Sequence, residues 1–283
     1  MAPFKVRKQS GVFRDILSFH SKGFATQTET PCLSTTKVSG HEEKIHVFFA
    51  RYKIFDYLCT HIILFKRTFN TTFMEAIKNA FAEKLLAVKA IKLQPNDPFT
   101  WASGWKSPIY TDNRKTLAYP ELRSFVKNEL VHLIHTNFPE ANAVAGVATG
   151  AIAQGALVAD QLQLPYCYVR PKPKDHGMGN QIEGTIPEGA KVVVVEDLIS
   201  TGGSSLKAVD ALRKAGFEVV GMVASYTYGF PVAEEAFRQA GLKLVTLSDY
   251  EHTTAIAAQT GYIQESDLAV LAEWRKSPET WKQ

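Results

Sequence analysis

At 283 residues the chain is long enough to bury a full core and has room for one domain or two. Its formal net charge of +4 is unevenly placed: residues 1–73 hold 11 Lys and Arg against 5 Asp and Glu, while residues 74–283 hold 21 against 23. The basic surplus therefore belongs to the amino-terminal segment and argues against a nucleic-acid-binding body.

Cys32, Cys59 and Cys167 are odd in number, far apart and free of CxxC spacing, which argues against a disulfide or zinc scaffold. The first 28 residues hold Lys5, Arg7, Lys8, Arg14 and Lys22 against Asp15, with Val12, Phe13, Ile16 and Leu17 at helical spacing. That pattern fits an organellar transit peptide and fits equally a non-native upstream translation. Over 45–73, Arg51, Lys53, Asp56, His61 and Lys66 interrupt every apolar window, so no membrane span is expected.

Met74 opens a helical pattern to Ile91, with Ile77, Phe81, Leu85 and Val88 on one face. The division expected is a disordered, targeting or non-native extension over 1–73 and a folded domain over 74–283. Pro95, Pro98, Gly104 and Pro108 then punctuate an irregular stretch, followed by a short strand near Ile109 to Asp112 and a helix opened by Pro120 and running to Phe138. Strands are predicted at Ala143 to Ala148, Tyr166 to Arg170, Val192 to Val195, Glu218 to Tyr226 and Lys243 to Leu247. Helices are predicted at Ile152 to Gln161, Ser205 to Ala215 and Val232 to Ala240, with two more at the end. This alternation predicts an α/β fold with a parallel sheet flanked by helices.

The stretch 192–205, VVVVEDLISTGGSS, carries most of the chemistry. A β-branched run buried on both faces ends in Glu196 and Asp197. Ser200, Thr201, Gly202, Gly203 and Ser204 then supply hydroxyls and approachable backbone N–H groups where a helix begins. A 5-phosphate fits that turn, with two carboxylates in reach of ribose hydroxyls. A Walker-type loop is poorly supported, because no G-K-[ST] follows the glycines. Ala148, Thr149, Gly150 and Ala151 make a second small-residue turn, which a close-packed strand-to-helix connection also explains.

Residues 192–205 resemble the phosphoribosyl pyrophosphate (PRPP) signature of the type I phosphoribosyltransferases. Residues 93–114, LQPNDPFTWASGWKSPIYTDNR, and 168–184, YVRPKPKDHGMGNQIEG, resemble the amino-terminal segment and catalytic loop of the orotate phosphoribosyltransferases, in the form common in Gram-positive bacteria. The resemblance runs from Met74 to the carboxyl terminus. It implies a type I fold with a small hood from the amino-terminal segment. The activity it implies is transfer of phosphoribosyl from PRPP to orotate in pyrimidine synthesis.

By the same resemblance PRPP is bound by Arg170, Lys174, His176 and the run Glu196, Asp197, Leu198, Ile199, Ser200, Thr201, Gly202, Gly203 and Ser204, with Lys174, His176 and Asp197 catalytic. Orotate is assigned to Ser200, Lys106 and Arg114, with Tyr110 a further candidate. Two departures stand out. Ala102 replaces an orotate-binding lysine, and no arginine stands near Thr227 and Tyr228. Mg²⁺ is implied by the substrate, without a dedicated protein cage. A homodimer with shared sites in the cytoplasm is implied, without nucleic acid or membrane as partner. An organelle is the alternative location if the extension is a transit peptide. The alternatives in function are a transferase for another base and a PRPP-sensing regulator.

Overall fold

The stripe Ile77, Phe81 and Leu85 is buried, as its spacing requires, on a helix α1 over 71–87. The computed structural model describes residues 71–101, 104–172 and 181–282. α1 is already helical ahead of Met74 and stops at 87, short of the Ile91 end predicted for it. The cause is a competing pairing: Lys89 takes φ 55, and Ile91–Leu93 (β1) lies antiparallel to Ile109–Thr111 (β4), with Ile91 opposite Thr111. Between them Phe99–Thr100 (β2) and Lys106–Ser107 (β3) form a second antiparallel pair. A 3₁₀ segment, Asn113–Ala118, leads to α2 (Pro120–Asn137), with Pro120 at its first turn.

The alternating part follows as α/β units: β5 (Ala143–Val147), α3 (Ile152–Leu162), β6 (Tyr166–Val169), β7 (Ile182–Gly184), β8 (Lys191–Ile199), α4 (Gly203–Lys214), β9 (Glu218–Thr227), α5 (Pro231–Gln239), β10 (Leu244–Asp249), α6 (Tyr250–Gln259) and α7 (Asp267–Lys276). Sheet order is β10-β9-β8-β5-β6-β7. The first five strands are parallel and β7 is antiparallel to β6. β7 has no counterpart among the predicted strands. At three residues it is too short to show a periodicity.

β8 shows why the sheet is covered on both sides. Val193 and Val195 pack with α2, α3 and the carboxyl-terminal helices, while Val192 and Val194 pack with Val209 and Leu212 of α4 and Phe237 of α5. All four valines are fully buried, and a period of two feeds two separate cores. Gly221 in β9 admits the Phe138 ring, which a Cβ there would strike.

The hood over the sheet's carboxyl rim is larger than the predicted one. Besides β1 to β4 it takes in the carboxyl terminus: Trp274 Nε1 of α7 donates to the Lys106 carbonyl at 3.2 Å, and Lys282 Nζ to the Pro95 carbonyl at 3.3 Å. Trp101, Tyr228, Phe230 and Tyr250 surround Trp274, with ring centroids 5.4 to 5.9 Å from it. Among the described residues no helix is long and apolar enough to cross a membrane.

Candidate active site

β5 and β8 are neighbours, yet the chain leaves β5 outward to β6 and leaves β8 in the opposite direction to β9. At such a reversal the loops at the carboxyl ends of the two strands separate and open a crevice. A cavity of about 340 Å³ lies there, walled by the β5 turn Ala148 to Gly150, the β8 end Glu196 to Leu198, Ser204, and Thr111 to Arg114 of the hood.

β8 continues through both acids to Ile199, rather than ending at Val195 as predicted. The extra residues stay in register with β9, Glu196 against Ala224 and Leu198 against Tyr226, so pairing carries the strand past the last valine. Strand alternation then gives the acids different neighbours. Glu196 faces α4 and is buried at 4% exposure; its carboxylate accepts from Ser205 Oγ at 2.8 Å and from the Asp197 N–H at 2.9 Å. Burial, reinforced by the adjacent Asp197 carboxylate, pushes the Glu196 carboxyl well above the ordinary carboxylate range. Asp197 instead lies against Gly150, where a Cβ would collide with its carboxylate. The Ala148–Thr149 peptide in the same turn is cis.

The turn after β8 suits a phosphate. Gly202 takes φ 81 as the residue before α4 and offers no side-chain cap, and a Cβ at Gly203 would meet nothing within 4 Å. The first-turn N–H groups of α4 lack partners within the helix, so they face the approach to the turn together with the positive end of the dipole. Leu206 N donating to the Gly202 carbonyl at 2.9 Å fixes that first turn.

Sequence reasoning missed Asn113. It is 1% exposed, its Nδ2 donates to the Asp197 carbonyl at 2.6 Å, and its Oδ1 is buried without a hydrogen-bond partner. Behind it a buried chain runs from Ser225 Oγ to Gln154 Oε1 at 2.8 Å, from Gln154 Nε2 to Thr116 Oγ1 at 3.4 Å, and from Thr116 Oγ1 to the Asn113 carbonyl at 2.6 Å. This chain ties the hood to α3 and β9 beneath the cavity. The only signal available in the sequence was an Asn beside an Asp in the polar run Thr111 to Thr116.

The residues singled out from sequence fall into several places. Asp197, Leu198, Ser204 and Arg114 line the cavity, with Glu196 in its floor. Ile199 is core, Gly202 and Gly203 shape the turn, Ser200 is half-buried, and Thr201 is exposed on the turn's far side. Arg170 is at the stem of the loop, where Nη1 lies 3.6 Å from Glu183 Oε1 of the edge strand. Lys174, His176 and Ala102 lie outside the described residues. The two candidate orotate cations are held by neighbours: Arg114 Nε donates to Asp112 Oδ1 at 2.7 Å, and Lys106 Nζ donates to Thr100 Oγ1 at 2.9 Å on the hairpin. Tyr110 is exposed at 39%.

A crevice at the reversal of a parallel sheet, floored by two acids and closed by an uncapped helix start, defines a phosphoribosyltransferase of the type I architecture. Residues 124–254 match the family model of the phosphoribosyl transferase domain. An orotate phosphoribosyltransferase of Bacteroides fragilis is 65% identical over 209 residues, which is 74% of this chain and 99% of that protein. One from Lactococcus lactis subsp. cremoris is 51% identical over 207 residues, 73% of this chain and 99% of that protein. The crystal structure of orotate phosphoribosyltransferase from Aeropyrum pernix superposes with a TM-score of 0.57 at 31% identity, covering 64% of this chain and 98% of that one. The chain belongs to the orotate phosphoribosyltransferases.

Proposed function

We infer that this enzyme transfers the phosphoribosyl group of PRPP to orotate, forming orotidine 5-phosphate and pyrophosphate in pyrimidine synthesis. The observation that carries the reading is 65% identity across almost the whole of a relative of that activity, with the crevice at the switch point as the place for it. A purine base or a regulatory role receives no support from these relatives.

In the proposed arrangement the 5-phosphate rests on the first turn of α4 and the ribose hydroxyls meet Asp197 in the cavity. Glu196 acts chiefly as a support, holding the Asp197 N–H and the Ser205 hydroxyl so that strand end and helix start move as one. Departure of pyrophosphate leaves C1 with oxocarbenium character and concentrates negative charge on the leaving group. Thr149 and Gly150 present backbone to that group. Lys174 and His176 are proposed to bring cations over it, with Arg170 at the loop's stem.

Among the described residues no cluster of three His, Cys, Asp or Glu could hold a metal ion. Mg²⁺ carried in on the diphosphate would keep most of its waters and need one or two carboxylates, and Asp197 is proposed to supply one. When bound, the ion neutralises charge on the leaving pyrophosphate. A cytoplasmic homodimer with shared sites, and residues 74–283 as the active unit with 1–73 dispensable, complete the proposal.

The test is the fall in orotate absorbance when the purified full chain meets orotate, PRPP and Mg²⁺, with a purine base as control. Turnover with orotate alone is expected. Turnover with the purine alone refutes the reading. The same assay on residues 74–283 decides the boundary: an inactive product would show that the extension is needed.

A further inference from the structure

The phosphoribosyl cavity is acidic for a site that must take a polyanion. Among the described residues its walls carry the carboxylates of Asp112, Glu196 and Asp197 and a single cation, Arg114. PRPP brings negative charge at two ends. The 5-phosphate end is provided for by the first-turn N–H groups of α4. The diphosphate end, which gains charge as it leaves, meets only uncharged residues in the β5 turn, Ala148 to Gly150. A cation built into the wall beside that turn is what the chemistry requires.

The hood carries Arg114 to that place. Its neighbour Asn113 is seated on the end of β8, where Nδ2 donates to the Asp197 carbonyl at 2.6 Å. The Asp197 carboxylate lies against Gly150, and Arg114 is near enough to Asp197 for the two charges to interact. The turn proposed for the diphosphate and the Arg114 guanidinium therefore border the same carboxylate. Arg114 is also free to engage a ligand. Its side chain is 61% exposed, and its bond to Asp112 Oδ1 at 2.7 Å uses Nε, leaving both terminal amino groups without a protein partner among the described residues. An ion pair so open to water holds its arginine weakly. Two amino groups in one plane match two oxygens of a phosphoryl group, a geometry that a lysine cannot offer.

We propose that Arg114 is a catalytic residue that binds the diphosphate of PRPP and balances the charge collecting on it as the bond to C1 breaks, with Asp112 as the positioning residue that aims the guanidinium. The proposal rests on the orotate phosphoribosyltransferase reading above, and it moves Arg114 from the base, where the resemblance put it, to the leaving group. In the step it assists, the electron pair of the C1–oxygen bond goes to pyrophosphate, a ring nitrogen of the base bonds to C1, and the proton of that nitrogen is released with the pyrophosphate. Arg114 stays protonated throughout. Lys174 and His176 are proposed above to bring cations from the loop; Arg114 adds one from the hood.

Initial rates on the full chain, with PRPP and orotate varied separately, test it together with calorimetric titration of inorganic pyrophosphate in the presence of Mg²⁺. Arg114→Ala is expected to raise the KM for PRPP about tenfold or more, to lower kcat about tenfold, and to weaken pyrophosphate binding about tenfold. The KM for orotate and the binding of ribose 5-phosphate should stay within about twofold of wild type. Arg114→Lys keeps the charge, loses the fork and should restore part of the loss. A merely structural Arg114 would not separate pyrophosphate from ribose 5-phosphate. The proposal is overturned if pyrophosphate binding stays within about twofold of wild type, if ribose 5-phosphate weakens alongside it, or if the KM for orotate rises in place of that for PRPP. Should Arg114→Ala melt early, Arg114→Gln, which keeps the stem and an N–H for Asp112, decides by the same two titrations. Absence of orotate turnover in the wild-type chain refutes the function itself, and this assignment with it. Normal wild-type turnover with an unaltered Arg114→Ala variant refutes only the assignment.

Discussion

The proposed phosphoribosyl cradle and the hood share one rim of the sheet and are built in opposite ways. The cradle is mostly local: fourteen consecutive residues, 192–205, supply the strand, both acids and the helix start, and the Gly150 turn and Thr111 to Arg114 complete its walls. The hood is assembled from 91–118 and from a helix more than 150 residues away, joined by a Trp274 hydrogen bond to Lys106 at a separation of 168 residues and a Lys282 bond to Pro95 at 187. Chemistry that must hold a phosphate is cheapest to encode in a continuous strand-turn-helix. A surface that must fit a particular base is free to draw on distant segments. The two regions should therefore fail differently when mutated.

The largest effect is expected in the hood. Trp274 is fully buried among four surrounding rings, and Trp274→Ala should cost about 3–5 kcal/mol of stability through the cavity it leaves. Denaturant titration measures this. Trp274→Phe, which keeps a ring and loses the bond to Lys106, should cost much less. Equal losses in the two variants would show that the hydrogen bond, and not the packing, joins the helix to the hood.

In the cradle the expected damage is to rate rather than stability. Gly150→Ala puts a methyl group into the Asp197 carboxylate. Moving a catalytic group by about 1 Å can cost about a hundredfold in rate, so kcat should fall by that order while the thermal midpoint changes little. A variant with normal kcat would remove Asp197 from the reacting region. Asn113→Ala deletes the 2.6 Å bond to the Asp197 carbonyl, leaving a buried acceptor unpaired at a cost of about 1–3 kcal/mol. Because Asn113 acts through Asp197, kcat should drop more than the KM for PRPP. Loss of stability with unchanged kcat would make Asn113 a purely structural member of the buried chain to Gln154 and Ser225.

The contrast between local and distant assembly also decides what could be read from sequence. Strands β5, β6, β8, β9 and β10 and helices α2 to α5 were predicted within a few residues, because each carries its own periodicity or punctuation. The acids were placed at the right rim by their position after four valines. What failed depends on partners outside the window. β1 exists because Ile91 finds Thr111, β8 outlasts its valines because β9 accompanies it, and Glu196 turned out buried because Ser205 waits on α4. The hood was expected from its amino-terminal half alone, since nothing near Trp274 signals that Lys106 is its partner.

The smallest effect concerns a third junction, where α1 meets α6, and it separates tethering from catalysis. His252 stands between two carboxylates, Nδ1 at 2.6 Å from Asp249 Oδ1 and Nε2 at 2.7 Å from Glu75 Oε2, with Lys78 of α1 at 3.4 Å from Asp249 Oδ2. Burial disfavours the imidazolium and the Lys78 charge opposes it, but the two carboxylates outweigh them and raise the His252 pKa. The hydrogen bond from His252 lowers that of Glu75, and for Asp249 the bonds from His252 outweigh burial and lower it too. A raised histidine pKa contributes stability that is complete below the unfolded value near 6.5 and is lost as pH rises through the folded value. The depressed carboxylates contribute above their unfolded values near 4 and lose it as pH falls through their folded ones. The tie is therefore strongest between about pH 5 and 6.5. With Glu75 half exposed to solvent, it should be worth on the order of 1 kcal/mol. His252→Gln should lower the melting temperature most in that window and progressively less toward pH 9, with kcat untouched throughout because the junction lies away from the crevice. A melting-temperature deficit that does not vary with pH would mean that packing of the ring, and not its charge, holds α1 to α6.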